Sequence, residues 1–139
     1  MKLARVLVPV ALAVLVSASL RALPSAAQTT SGPYTADQAK AGAAIYTAQC
    51  SMCHGEKLEG ISGPALAGND FISKWNGQTA DDLRDVIATQ MPLTSPGSLK
   101  PAEVMSVLAY ILQQNKYPAG TTPLTPAISK TVKIAKQGG

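Results

Sequence analysis

Five consecutive residues, Cys50-Ser51-Met52-Cys53-His54, take up both cysteines and the single histidine of a chain of 139 residues. Thiols three positions apart stand on one side of a helical turn, within reach of the two vinyl groups along one edge of a haem. The adjacent His54 then reaches the iron from below the ring. This order and spacing is the pattern of c-type haem attachment, so one covalent haem c is the expected cofactor. Other uses of the same residues are weaker. A thioredoxin-like redox pair needs a βαβ context, and here helical periodicity and glycine loops surround the motif. A zinc site needs four ligands, and the chain has no second Cys/His pair. Two structural cysteines beside a surface histidine are the reading that assigns the motif no chemistry.

Three amphipathic segments are available to position the motif. Thr35 can cap a helix running toward Cys50, with Gln38 at capping-box spacing and Ala39, Ala43 and Tyr46 on one face. A second helix starts at Thr79, with Asp81 and Asp82 in its first turn and Leu83, Val86 and Ile87 at i, i+3 and i+4. The third begins at Pro101, a favoured first helical position, and runs to about Gln114 before Tyr117-Pro118 stops it. Val104 to Leu112 contains one polar residue, Ser106, and a helix apolar nearly all round packs on more than one side. Between the first two helices, Gly55 to Gly77 carries Gly55, Gly60, Gly63-Pro64, Gly68 and Gly77, which reads as loop interrupted at most by single turns. Strand signals are weak. Tyr117 to Pro126 is rich in Pro and Thr and reads as an extended strap or a loose tail. The expected fold is therefore all-α, and an aromatic content of only 4% suits a core partly filled by a flat cofactor.

The chain begins with a positive n-region, Lys2 and Arg5, then an apolar run from Val6 to Val16 broken by Pro9, then Ala-Leu-Pro-Ser-Ala-Ala ending at Ala27. This reads as a secretory signal peptide over 1–27 and places the protein in the periplasm. An uncleaved anchor is the other reading, but Val6 to Leu20 is shorter than the roughly 20 residues that span a bilayer. The formal charge of +4 comes from 12 Lys/Arg against 8 Asp/Glu. Three of those cations lie in the leader and three more, Lys130, Lys133 and Lys136, lie in the tail. Residues 28–129 are thus slightly acidic, with no basic stripe for nucleic acid and no implied membrane contact once the leader is cleaved. Residues 28–115 form the expected domain, and 116–139 the Pro/Thr-rich strap and basic tail, whose lysines read as a solvated end.

With these features in place, the sequence resembles a class I c-type cytochrome of small bacterial monohaem type, from the helix at Thr35 to the helix ending near Gln114. The resemblance implies a cytochrome c-like fold of three to four helices with glycine-rich loops around one haem. It implies that the first and last helices cross where Gly42 meets Tyr110. The stretch Gly55-x-x-Leu58-x-Gly60-x-x-Gly63-Pro64-x-Leu66-x-Gly68 resembles the family's segment after the haem histidine. There the carbonyl of Pro64 accepts a hydrogen bond from His54, and Pro64 and Leu66 line the cofactor; Pro64 also reads as a simple turn residue. The resemblance further implies Met91, followed by Pro92, as the second iron ligand beside His54. Met1 belongs to the leader, Met52 lies inside the Cys-x-x-Cys, and Met105 falls within an apolar helix. Trp75, the only tryptophan, reads either as a core plug or as a partner for a haem propionate, since a buried indole N–H wants an acceptor. The words Met91-Pro92-Leu93, Ala109-Tyr110-Ile111-Leu112 and Asn115-x-Tyr117-Pro118 resemble cytochrome c subunits of quinoprotein alcohol dehydrogenases.

Two axial ligands would close the iron's coordination sphere, and the function implied is then the movement of one electron rather than catalysis. The expectation is a periplasmic carrier, not an enzyme, between a dehydrogenase and a respiratory acceptor, with redox proteins, including a quinoprotein dehydrogenase, as partners. Two alternatives stand beside it: a haem subunit permanently docked to such a dehydrogenase, and a haem enzyme or small-ligand sensor with an open sixth position.

Overall fold

A computed structural model describes residues 32–138; the expected leader, residues 1–27, lies outside them. Six helices follow one another: α1 (Ala36–Gln49), α2 (Ser51–His54), α3 (Gly68–Trp75), α4 (Ala80–Gln90), α5 (Pro101–Gln114) and α6 (Pro126–Ser129). Four of them have eight residues or more. Among the described residues no strand forms, and only two isolated bridges occur, Thr35 with Gly120 and Thr79 with Lys133. The architecture is all-α, as the periodicity predicts.

The framework is the crossing of α1 and α5. Seven residues of α5 are buried, among them Val104, Leu108, Ile111 and Leu112, because one flank meets α1 and the other α4. Close approach to α1 depends on Gly42: a Cβ there would overlap the backbone carbonyl of Ser106 and stand 3.0 Å from the Tyr110 Cβ. One turn on, the Tyr46 and Tyr110 rings pack with centroids 5.3 Å apart. Replacing Gly42 with alanine forces the helices apart along this contact. The expected cost is about 1–3 kcal/mol, the range for overpacking a core, read as a lower midpoint in thermal or denaturant unfolding.

Local capping sets the helix starts, with one departure from expectation. Thr79 and Asp82 form a full capping box on α4, the Thr79 hydroxyl accepting from the Asp82 amide and the Asp82 carboxylate from the Thr79 amide at 2.7 Å. Thr35 caps α1 by accepting from the Gln38 amide at 3.2 Å. The Gln38 side chain, however, does not reach back to Thr35. Its amide instead pairs both ways with the backbone of Leu124, donating at 2.9 Å and accepting at 2.6 Å. A distant segment thus offers a backbone donor and acceptor together, where the capping box would use one acceptor oxygen. A second correction concerns Gly55 to Gly77. Gly68–Trp75 forms two turns of helix, because Phe71 and Trp75, four apart, bury one face while Asp70 and Lys74 complement the helix ends.

The segment after α5 is a packed strap. Tyr117 anchors it, its hydroxyl donating to the Lys133 carbonyl at 2.8 Å and accepting from the Ala135 amide at 2.9 Å. Ile134 exchanges backbone hydrogen bonds with Gly77 and Gln78, and Val132 accepts from Ala80. Leu124 and Ile134 enter the core, while Lys130, Lys133 and Lys136 stay exposed. The strap therefore holds the α3–α4 corner from outside.

One of its ties is acid-sensitive. Ser129 of α6 donates to the Asp81 carboxylate at 2.8 Å. The Arg84 hydrogen bond, chiefly, together with that from Ser129, holds the Asp81 pKa below its ordinary 3.8. A carboxylate with a depressed folded pKa contributes stability that is complete above the unfolded value and lost as pH falls through the folded one. The expected outcome is that the thermal midpoint falls more steeply below about pH 4 in the native protein than in Asp81→Asn.

Candidate functional site

The cysteine motif sits where α1 ends. Cys50 follows its last turn and opens α2, with the Cys53 and His54 amides both donating to the Cys50 carbonyl, at 3.2 and 3.0 Å. The loop beyond folds back beneath this turn. Ile61, Ser62 and Gly63 all aim their amides at the Cys53 carbonyl, at 3.1, 3.1 and 2.9 Å, and Gly60 donates to the His54 carbonyl at 2.8 Å. Gly55 and Gly60 make the reversals at φ 84° and 83°, a region that disfavours side chains. The Tyr46 hydroxyl donates to the Gly55 carbonyl at 2.7 Å, tying the loop to α1.

This loop orients His54. Its Nδ1 lies 2.7 Å from the Pro64 carbonyl, an oxygen that can only accept, so Nδ1 carries the proton and Nε2 keeps its lone pair. Gly63 lies flat against the ring: a Cβ there would come within 2.8 Å of Cε1 and 2.9 Å of Nδ1. His54 is buried, and both neighbours hold its imidazole in a single orientation. Replacing Gly63 with valine is expected to rotate that ring and disturb the visible spectrum of a bound cofactor more than it lowers the unfolding midpoint. Circular dichroism in the visible and far ultraviolet distinguishes the two effects.

Cys50, Cys53 and His54 open onto a cavity of about 310 Å³ whose wall is predominantly apolar. Leu66 and Pro64 line it on the side of the folded loop, Trp75 and Leu83 at the α3–α4 corner, Val107 and Ile111 from α5, and Met91 at the end of α4. All seven site residues expected from the sequence therefore border one space. Trp75 is 7% exposed and packs on Phe71 with centroids 6.4 Å apart and the rings tilted by 34°. Its indole donates to no group among the described residues, although no fully buried polar side-chain atom there goes unpaired. Trp75 is thus a core residue that also borders the cavity. Met91 stands at the α4 C-terminus in extended conformation, half-buried, whereas Met105 is buried within α5.

The donor set fits a haem. Two thiols at one edge, a tautomerically fixed imidazole, a thioether and an apolar wall are what a covalently held iron porphyrin requires. They do not fit a dithiol redox site. Burial, with the neighbouring Cys53 adding to it, pushes the Cys50 thiol up to about 11, opposite to the lowered thiol of a reactive Cys-x-x-Cys. Among the described residues no cluster of three or more His, Cys, Asp or Glu could hold a bare metal ion.

Three residues that the sequence reading quoted only within motifs, with no role, support the site. Asn115 donates to the Leu66 carbonyl at 2.9 Å and accepts from the Gly68 amide at 3.2 Å, fixing the loop that carries Leu66. Leu58 is fully buried at φ 61° and pairs its carbonyl with the Leu66 amide at 2.8 Å. Their motifs name both residues, but nothing local in the sequence shows which distant groups they meet. For Gly63 the role could have been read as well, since a glycine directly before the proline that meets the histidine implies a close approach.

Comparison with known proteins gives two findings. A family model, described as cytochrome c oxidase, cbb3-type, subunit III, matches residues 37–111. The chain is also similar to a chain of the sulfane dehydrogenase SoxCD from Paracoccus pantotrophus, at 25% identity and a TM-score of 0.60, over 82% of this chain. It spans 66% of the length of that protein's chain. Among curated proteins, nothing matches the sequence.

Proposed function

The chain belongs to the cytochrome c oxidase, cbb3-type, subunit III family of c-type cytochrome domains, and from that membership we propose that it carries one covalent haem c as a periplasmic electron carrier. Domains of this family carry haem and transfer electrons. In the proposed reading, Cys50 and Cys53 would form thioethers to the haem, His54 and Met91 would hold its iron, and Trp75 would donate to a propionate. The haem supplies a centre that takes up and gives back one electron.

The residues of the chain do the rest. The Pro64 carbonyl keeps the proton on Nδ1 of His54 and increases the electron density at Nε2. The Met91 thioether favours the reduced state, and the apolar wall, by excluding water, disfavours the extra charge of the oxidised one. Leu66, Leu83, Val107 and Ile111 keep the site dry on the core side. With His54 and Met91 both holding the iron, no coordination site would be left for a substrate, which favours a carrier over an enzyme.

The observation that carries this reading is that His54 and Met91, far apart in sequence, border the same apolar cavity as both cysteines. The likeness to a sulfane dehydrogenase supports a dehydrogenase as electron donor, and the short words at Met91-Pro92-Leu93 and Asn115-x-Tyr117-Pro118 support a quinoprotein. The leader over residues 1–27 supports export. The test is spectroscopy and potentiometry of the purified protein. A weak sulfur-to-iron band at the red end of the oxidised spectrum, with one electron taken up per chain, is expected. Rapid carbon monoxide binding by the reduced native protein would overturn the reading.

A further inference from the structure

The helix that carries Trp75 is weakly held by the helical framework. Of the longer helices, α1 packs on α5 and α5 on α4, whereas α3 has at most sparse contact with any other helix. Its placement therefore falls to its two ends. At the start, the Gly68 amide donates to the Asn115 side chain at 3.2 Å. At the other end Trp75 closes α3 and Ala80 opens α4, and there the partners come from the strap. The Gly77 amide donates to the Ile134 carbonyl at 2.9 Å, the Ile134 amide to the Gln78 carbonyl at 2.8 Å, and the Ala80 amide to the Val132 carbonyl at 2.8 Å. The first amides of a helix have no partner within it, so the strap completes the start of α4 as well as the end of α3.

Ile134 is wholly buried, and the Tyr117 hydroxyl binds the residue on either side of it, Lys133 and Ala135. At the corner that this segment clamps, Trp75 and Leu83 border the cavity. Among the described residues none of 116–138 does so, so the strap reaches the cavity only through the corner. We infer that the strap is a positioning device for the cofactor site, with Ile134 and Tyr117 as its positioning residues: it sets where Trp75 and Leu83 stand against the cofactor and how well they exclude water on that side. The inference rests on the haem-carrier reading above and adds to it the element that keeps the corner closed. A looser corner admits water, which favours the more highly charged oxidised state, and the potential falls.

The test uses the holoprotein. Trp75 is the only tryptophan, so tryptophan emission reports on this corner alone, and haem quenches that emission by energy transfer that weakens steeply with distance. Tyr117→Phe and Ile134→Ala are each expected to raise the emission, move it to longer wavelength as water reaches the indole, and lower the reduction potential. Amide exchange at Gly77 and Ala80 should quicken by about tenfold, the effect of losing one hydrogen bond from a local closure. Ile134→Val, which keeps a branched side chain in the same place, should return all of these toward native values. Met105→Ala is the control for general loosening: it lowers the unfolding midpoint from within α5 and should leave emission and potential as in the native protein.

Strap variants that lose stability while emission and potential stay native overturn the inference, since the strap would then stabilise the fold without positioning the site. A Met105→Ala protein that changes emission and potential as much as the strap variants also overturns it. If Ile134→Ala does not fold, Tyr117→Phe decides by the same readouts. In each case covalent haem and a one-electron titration of the native protein leave the carrier reading standing. A native protein without covalent haem overturns that reading instead, and the wavelength of Trp75 emission and the amide exchange, which need no haem, still decide whether the strap holds the corner.

Discussion

Replacing Met91 with alanine is expected to lower the reduction potential by roughly 0.1–0.4 V, within the about 0.8 V range that axial ligation spans. Carbon monoxide should also bind the reduced variant far faster than the native protein. Met91 borders the cavity shared by Cys50, Cys53 and His54, and if it holds the iron as proposed, loss of its thioether removes a group that favours the reduced state. His54 is the only histidine in the chain, so no second imidazole can take the vacated position. Met105 is the control: it is 7% exposed and lies within α5. Its replacement by alanine should cost about 2–5 kcal/mol of stability and leave the spectrum largely unchanged. If Met105→Ala opened the iron and Met91→Ala did not, the ligand assignment would fall, and with it the role given to the end of α4.

Removal of both thiols, Cys50→Ala with Cys53→Ala, is expected to abolish covalent colour completely. After denaturing electrophoresis the native chain should stain for haem, and the double variant should not. Any haem that still binds through His54 and Met91 should extract into acidified acetone. Each single variant keeps one attachment point and is expected to retain stain while unfolding at lower temperature. The reason is geometric: Cys50 caps α2 and Cys53 lies within its single turn, both border the cavity, and the chain contains no other cysteine. A haem that extracted from the native protein would overturn the covalent assignment.

The strap is also open to test. The Tyr117 hydroxyl joins Lys133 and Ala135, so Tyr117→Phe leaves the Ala135 amide and the Lys133 carbonyl without that partner. The expected loss is about 1–3 kcal/mol. Faster amide exchange at Gly77 and Ala80, whose hydrogen bonds run to Ile134 and Val132, would localise the effect to the α3–α4 corner.

Much of the site could be read from local sequence because its chemistry is local. Cys50, Cys53 and His54 share one helical turn, Thr79 and Asp82 meet three residues apart, and Pro101 opens α5. At such spacings the backbone alone determines which side chains can meet. The same reasoning located α1, α4 and α5, whose apolar periodicity is continuous. It misjudged Gly68–Trp75, because the helical signal there is only Phe71 and Trp75, and glycine on either side reads more strongly as loop.

What the sequence determined by itself was therefore the attachment motif, the class of cofactor it serves and the helices that flank it. Tertiary structure decided the rest, wherever one partner is chosen among several by long-range packing. Gln38 could cap its own helix or clamp Leu124, and only the docked strap, 86 residues away, offers it a backbone donor and acceptor together. Asn115 could end α5 and nothing more, yet the return of the loop at Leu66 and Gly68 makes it a brace. Tyr117 to Gly138 could be tail or strap, and the buried places open to Leu124 and Ile134 make it a strap. Each of these choices joins residues distant in sequence, and the closure of such loops is stabilised only by the assembled core.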